Sequence, residues 1–208
     1  MSILLPAQTS EFELTPAGSH IGRCYRVVDL GTQLVEFQGE SKRQHKIMLS
    51  WELPNEVMKD GKPFSIHKKY TLSSHKKATL RKELEAWRGV PFTDDEFGKF
   101  DIGVLISKPC MIGVVHTVKG ENTYSNISSI MNLPKGMGAP NLINIPVYFS
   151  LSDFKQDVYD SLSENLKATI AKSPEYQTLK GAHLPDPNTH DELENMPPAE
   201  IPSEEIPF

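Results

Sequence analysis

A mainly β fold with a few helices is predicted by three observations. Up to about residue 72 the apolar residues keep a strand period, in runs rich in Val, Ile, Tyr and Phe that polar turns separate. Between Ser73 and Gly89 the period becomes that of a helix, and strand runs return at Pro109. The last stretch, 182–208, holds seven acidic residues, six of the 16 prolines and no Lys or Arg. A segment of that composition buries too little apolar surface to offset the entropy of ordering, so a disordered tail is expected there.

Residues 1–19 show little periodicity and read as an N-terminal arm. The run "HIGRCYRVVDLGTQLVEFQG" is one long first strand, with Gly31 marking a bulge or sharp bend. After the turn "GESKRQ", the run "HKIMLSWEL" alternates, with Ile47, Leu49, Trp51 and Leu53 on one face and Lys46, Met48, Ser50 and Glu52 on the other. "FSIHKKYTL" gives a third strand with Phe64 and Ile66 inward and His67 and Lys69 outward. A helix follows, with Ser candidates at its start, Leu80, Leu84 and Trp87 at helical spacing, and Gly89 as its stop. Thr93 and Glu96 have capping-box spacing and begin a second, short helix. "PCMIGVVHTV" and "TYSNISSIM" are two more strands around the turn "KGEN". "LPKGMGAPN" is a loop and "IPVYF" a short extended piece. In 151–181, Phe154, Val158, Leu162, Leu166 and Ile170 recur every fourth residue and predict one C-terminal helix. Its stripe packs on the strands or, in a second reading, against another copy of the chain.

Composition excludes several classes. No apolar run approaches the roughly 20 residues of a membrane span, and the first residues lack a basic leader region, so a cytoplasmic protein is expected. Cys24 and Cys110 are too few for a disulfide framework and sit in apolar runs as core thiols. The seven His form no His-x-x-x-His pair and the cysteines no Cys-x-x-Cys, so no metal, no cofactor and no enzyme is predicted. The net charge of −5 is uneven. Up to Gly181 the chain has 22 basic and 20 acidic residues, and from Glu40 to Arg88 the ratio is 12 to 6. A basic middle followed by an acidic tail suits an anionic partner.

Three strands, a helix and two strands, with a long bent first strand, is the chain order of a five-stranded OB-fold barrel, placed here over residues 20–150. Many such barrels hold single-stranded nucleic acid with cations along the backbone, aromatic faces under the bases and two loops that close over the strand. Alternation puts Arg23 and Tyr25 outward on the first strand, Lys46 on the second, His67 and Lys69 on the third, and Tyr124 and Asn126 on the fifth. Lys42 and Arg43 fall in the first loop and Lys119 in the second. These ten residues are the candidate strand-binding set. The alternative is a non-enzymatic interaction or structural module whose tail keeps it in solution.

Two stretches carry resemblances. "SEEIPF" resembles the end of bacterial single-stranded-DNA-binding proteins, with Glu204 and Glu205 where that family has aspartates, then Ile206, Pro207 and Phe208. The resemblance implies that these five residues dock replication or repair partners. "VVDLGTQ", "LRKELEAWRGVPFTDDEF" and "NISSIMNLPKG" are similar to a group of bacteriophage single-stranded-DNA-binding proteins, over roughly His20 to Gly138. That implies strand binding without strong sequence preference during phage replication or recombination.

Overall fold

The computed structural model describes residues 13–37 and 39–181. Its order is β1 (Gly18–Phe37), β2 (Glu40–Val57), β3 (Pro63–Thr71), α1 (Thr79–Arg88), α2 (Asp94–Gly98), a 3-10 turn (Ile102–Leu105), β4 (Pro109–Lys119), β5 (Asn122–Met131), β6 (Val147–Phe149), α3 (Gln156–Asp160), α4 (Glu164–Ile170) and α5 (Pro174–Leu179). The tail at 182–208, with Glu204 to Phe208, lies outside the described residues.

The strands form one sheet in the order β3-β2-β1-β4-β5, antiparallel throughout this path, and β6 pairs parallel with β1 at Arg26–Val28. The expected closed barrel is therefore corrected to an open sheet, because the ladder ends at β3 and β5. Helix α1 lies against both of these end strands, and its Leu80, Leu84 and Trp87 fill the space between the sheet's two wings. Gly89, at φ +79°, ends α1 by returning its N–H to the Glu85 carbonyl. The expected capping box starts α2, where Thr93 and Glu96 exchange bonds of 3.2 and 2.9 Å.

Two apolar clusters lie on opposite faces of β1–β2. The first joins Ile47, Leu49, Trp51 and Leu53 to α1, with Trp51 and Trp87 at 5.8 Å between ring centres. The second joins Val28, Leu30 and Met48 to Phe149 of β6 and to Tyr159, Leu166 and Ile170 of the C-terminal helices. Each fully buried side chain of this size stabilises the fold by about 1.5–3 kcal/mol. The second cluster explains why Met48, placed outward by alternation, is buried.

The register of β1 against β2 slips twice, between Cys24 and Arg26 and between Asp29 and Gly31. Gly31 has φ +68°, and a Cβ there would stand 2.5 Å from the Ser173 Cβ, so both backbone shape and close packing require glycine. The single C-terminal helix of the sequence reading is corrected to three short ones. The extended residue Ser163 starts α4, and Ser173 caps α5 by accepting from Tyr176 N–H, with Pro174 at the first helical position. A four-residue apolar repeat runs through these breaks, since each short helix turns the same face to the sheet.

Candidate nucleic-acid interface

The slip at Tyr25 decides which residues of β1 face outward. Beyond it, Arg26 stands opposite Ser50 on β2, and Ser50 stands opposite His67 on β3. One row on, Val28, Met48 and Lys69 align in the same way. Side chains directly opposite on adjacent strands share a face, so Arg26, Ser50 and His67 form one row across three strands. Helix α4 packs over part of this face and closes a cavity of about 410 Å³. Arg26 and Lys69 bring the charge to its lining with His67 beside them, Asn165 and Thr169 come from α4, and Ser163 from the residue that starts it.

The cavity's charge is unbalanced. Among the described residues, neither Arg26 nor Lys69 has a carboxylate partner, and the Arg26 Nε is buried without any hydrogen-bond acceptor. The Arg26 guanidinium lies 5.1 Å from the centre of the Tyr25 ring. Partial burial, then the charges of Lys69 and Arg26, hold the His67 imidazole below its ordinary pKa. All of these causes disfavour a further positive charge, and a bound anion relieves the last two.

An adjoining groove shares Lys69 and adds Lys46, Lys68, His75 and Lys77. Burial lowers the pKa of the Lys46 ammonium, which donates to Gln44 Oε1 at 2.6 Å and Thr71 Oγ1 at 2.7 Å. Lys68 is bound to Glu83, so among the described residues Lys46, Lys69 and Lys77 are the lysines of this groove without a carboxylate partner. Together the two hollows make a basic track along β3.

The ten sequence candidates separate into three groups. Tyr25, Lys46, His67 and Lys69 are brought together on the track. Tyr25 is only 8% exposed and its ring faces Arg26, so its expected role as a stacking platform is corrected to that of a support. Lys42 and Arg43 are exposed on the β1–β2 ribbon, where Lys42 pairs with Glu40 at 2.8 Å. Lys119, Tyr124 and Asn126 are exposed on the β4–β5 ribbon, which runs on past the start of β1 at Gly18. Tyr124 is 49% exposed, the one candidate aromatic with a free face. Arg23 belongs to none of these groups, because it donates to the Ser107 carbonyl from Nε and from one terminal nitrogen and to the Pro140 carbonyl at 2.7 Å. In the structure its guanidinium fastens a loop.

Arg26 is the residue that alternation missed. Its signal was faint, since "CYRVVDL" is apolar on both faces and no period reveals the extra residue. Asp29, His45 and Glu175 form a separate cluster, with His45 Nε2 at 2.7 Å from Asp29 and Nδ1 at 3.7 Å from Glu175 of α5. Among the described residues no helix is long and apolar enough to cross a membrane. In comparison with known proteins, the chain matches no family model and no curated protein sequence.

Proposed function

We propose that this protein binds single-stranded DNA without strong sequence preference, on the outer face of β1–β2–β3, as a non-enzymatic accessory of phage replication or recombination. The observation that carries the reading is the cationic pair Arg26 and Lys69, with the His67 imidazole beside them on one sheet face, and no carboxylate among the residues lining the cavity. The strand order supports it, because β3-β2-β1-β4-β5 is the order of an OB-type barrel that lacks only the rung between β3 and β5. The long β1–β2 and β4–β5 ribbons stand where such barrels carry the loops that close over a strand. Tyr124 supplies a ring for a base to stack on, and Arg43 and Lys119 supply charge for the backbone. Replication or recombination partners dock on Glu204 to Phe208, and the protein works in the host cytoplasm.

Fluorescence anisotropy of a labelled thirty-nucleotide strand, against the matching duplex and at two salt concentrations, tests the reading. Single-strand binding that exceeds duplex binding and weakens as salt rises is the expected result. Absence of binding to either form by folded protein points to an interaction module instead.

A further inference from the structure

We propose that the cavity under α4 is a seat for one phosphoryl anion, gripped by Arg26, Ser50 and His67. This rests on the strand-binding reading for the source of the anion, but the seat is built from its own observations.

The first is an unanswered donor beside a buried serine. The Arg26 Nε is buried with no acceptor among the described residues, and Ser50, only 3% exposed, brings its hydroxyl-bearing side chain to the same lining. Burying an N–H without an acceptor is costly, and more so when it carries charge. Both line the same cavity and stand opposite one another in the β1–β2 register, with His67 next in the row. Three consecutive strands therefore aim a guanidinium, a hydroxyl and an imidazole into one space.

The second is the kind of donors present. A carboxylate is satisfied by the flat fork of an arginine alone. A guanidinium, a hydroxyl and an imidazole from three strands, facing α4 across the cavity, surround a three-dimensional anion instead. The tetrahedral phosphoryl group has the acceptors to meet them all. The third is size, since about 410 Å³ is at the small end of ligand pockets and admits a phosphate with its sugar but not a run of nucleotides.

Protonation of His67 then becomes part of binding. The charged groups that face its ring are Lys69 on its own strand and Arg26 on β1. β2 contributes only Met48 and Ser50 to the lining, and the two charges of α4, Glu164 and Lys167, pair with each other at 2.7 Å outside it. No carboxylate in the lining competes for the proton. An anion at the seat favours the imidazolium, so the His67 titration midpoint rises on binding and binding strengthens as pH falls through it.

The test follows the His67 ring by NMR through a pH titration of the full chain at constant ionic strength, with His67→Gln to assign the signal. The probes are inorganic phosphate, a thirty-nucleotide strand ending in a 5′-phosphate and the same strand ending in a 5′-hydroxyl. A rise of about one unit in the midpoint with any probe, lost in Arg26→Met, is the expected result. A shift with the 5′-hydroxyl strand assigns the seat to an internal phosphodiester. A shift confined to the 5′-phosphorylated strand assigns it to a strand end, and one confined to inorganic phosphate to a free anion. His67→Gln, at an exposed strand position, keeps the question open to refutation even where Arg26→Met fails to fold: strand affinity in His67→Gln should lose its rise at low pH. An unmoved midpoint with all three probes, or a shift that persists in Arg26→Met, overturns the seat. Strand binding with no shift removes the seat and leaves the strand-binding reading intact, whereas a phosphate shift without strand binding does the reverse.

Discussion

Glu52 is fully buried, and three donors meet its carboxylate. Its carboxylate accepts from the Ile143 N–H at 2.6 Å, the Asn144 N–H at 2.7 Å and the Asn144 Nδ2 at 2.6 Å. Arg23, directly opposite it on β1, holds the Pro140 carbonyl of the same loop. A cation and an anion at one register position thus fasten the loop between β5 and β6 through its own backbone groups. Replacing the carboxylate by an amide turns one acceptor into a donor that meets another donor. Hydrogen bonds to a charged group each contribute about 1.5–3 kcal/mol, and a buried donor left without an acceptor costs a similar amount. Glu52→Gln should therefore destabilise the protein by about 2–4 kcal/mol in urea denaturation and speed hydrogen exchange at Ile143 and Asn144. A loss below about 0.5 kcal/mol, the size of an ordinary surface change, contradicts the fastening.

Helix α5 is held to β1 and β2 by charge as well as by packing. Glu175 accepts from the Thr32 N–H at 2.9 Å and from its hydroxyl, and it faces His45, which in turn bonds Asp29. The hydrogen bond to Asp29 raises the His45 pKa against the opposing effect of burial. Bonds from His45 and the Gly31 N–H lower that of Asp29, and bonds from Thr32 lower that of Glu175, in both cases against burial. A raised histidine stabilises the fold below its unfolded pKa and loses that effect as pH rises through the folded value. The lowered carboxylates stabilise above their unfolded values and lose it as pH falls through the folded ones. The clamp is strongest between the ordinary carboxylate and histidine values, roughly pH 5 to 6.5. The melting temperature of the wild type should fall from pH 6 to pH 8, and His45→Gln should flatten that slope; parallel profiles for the two proteins would remove the clamp. These helices also mark the boundary of what the sequence reveals. Strand β2 was legible because Ile47, Leu49, Trp51 and Leu53 all face one cluster, and α1 because Leu80, Leu84 and Trp87 do. Strand β1 lies between two clusters, so its alternation is masked where the slip at Tyr25 occurs. Three of the seven basic residues of the candidate track followed from that alternation, His67, Lys69 and Lys46. Arg26 and the α4 roof did not, because a bulge and a chain return from 163–169 leave no local pattern.

At the scale of the whole molecule, the charge split sets how the protein meets an anion. Residues up to Gly181 carry +2, and 182–208 carry seven acidic residues with no Lys or Arg. Tail carboxylates and DNA phosphates are both anions that seek the same cations, Arg26, Lys69 and Lys77 among them. On the strand-binding reading proposed above, a tethered anion competes with free DNA, so the tail is expected to weaken apparent affinity without touching intrinsic contacts. Screening removes such competition unevenly, because exposed charges lose their reach as the Debye length falls from about 10 Å at 0.1 M salt to about 3 Å at 1 M. Removal of 182–208 should tighten binding of the thirty-nucleotide strand several-fold at 50 mM salt, with a difference that shrinks as salt rises. The comparison is made on proteins of equal thermal stability, so that a change in folding is not read as a change in affinity. Equal affinities for the two proteins at every salt concentration would show that the tail and the basic track do not compete, and would confine the tail's charge to partner docking.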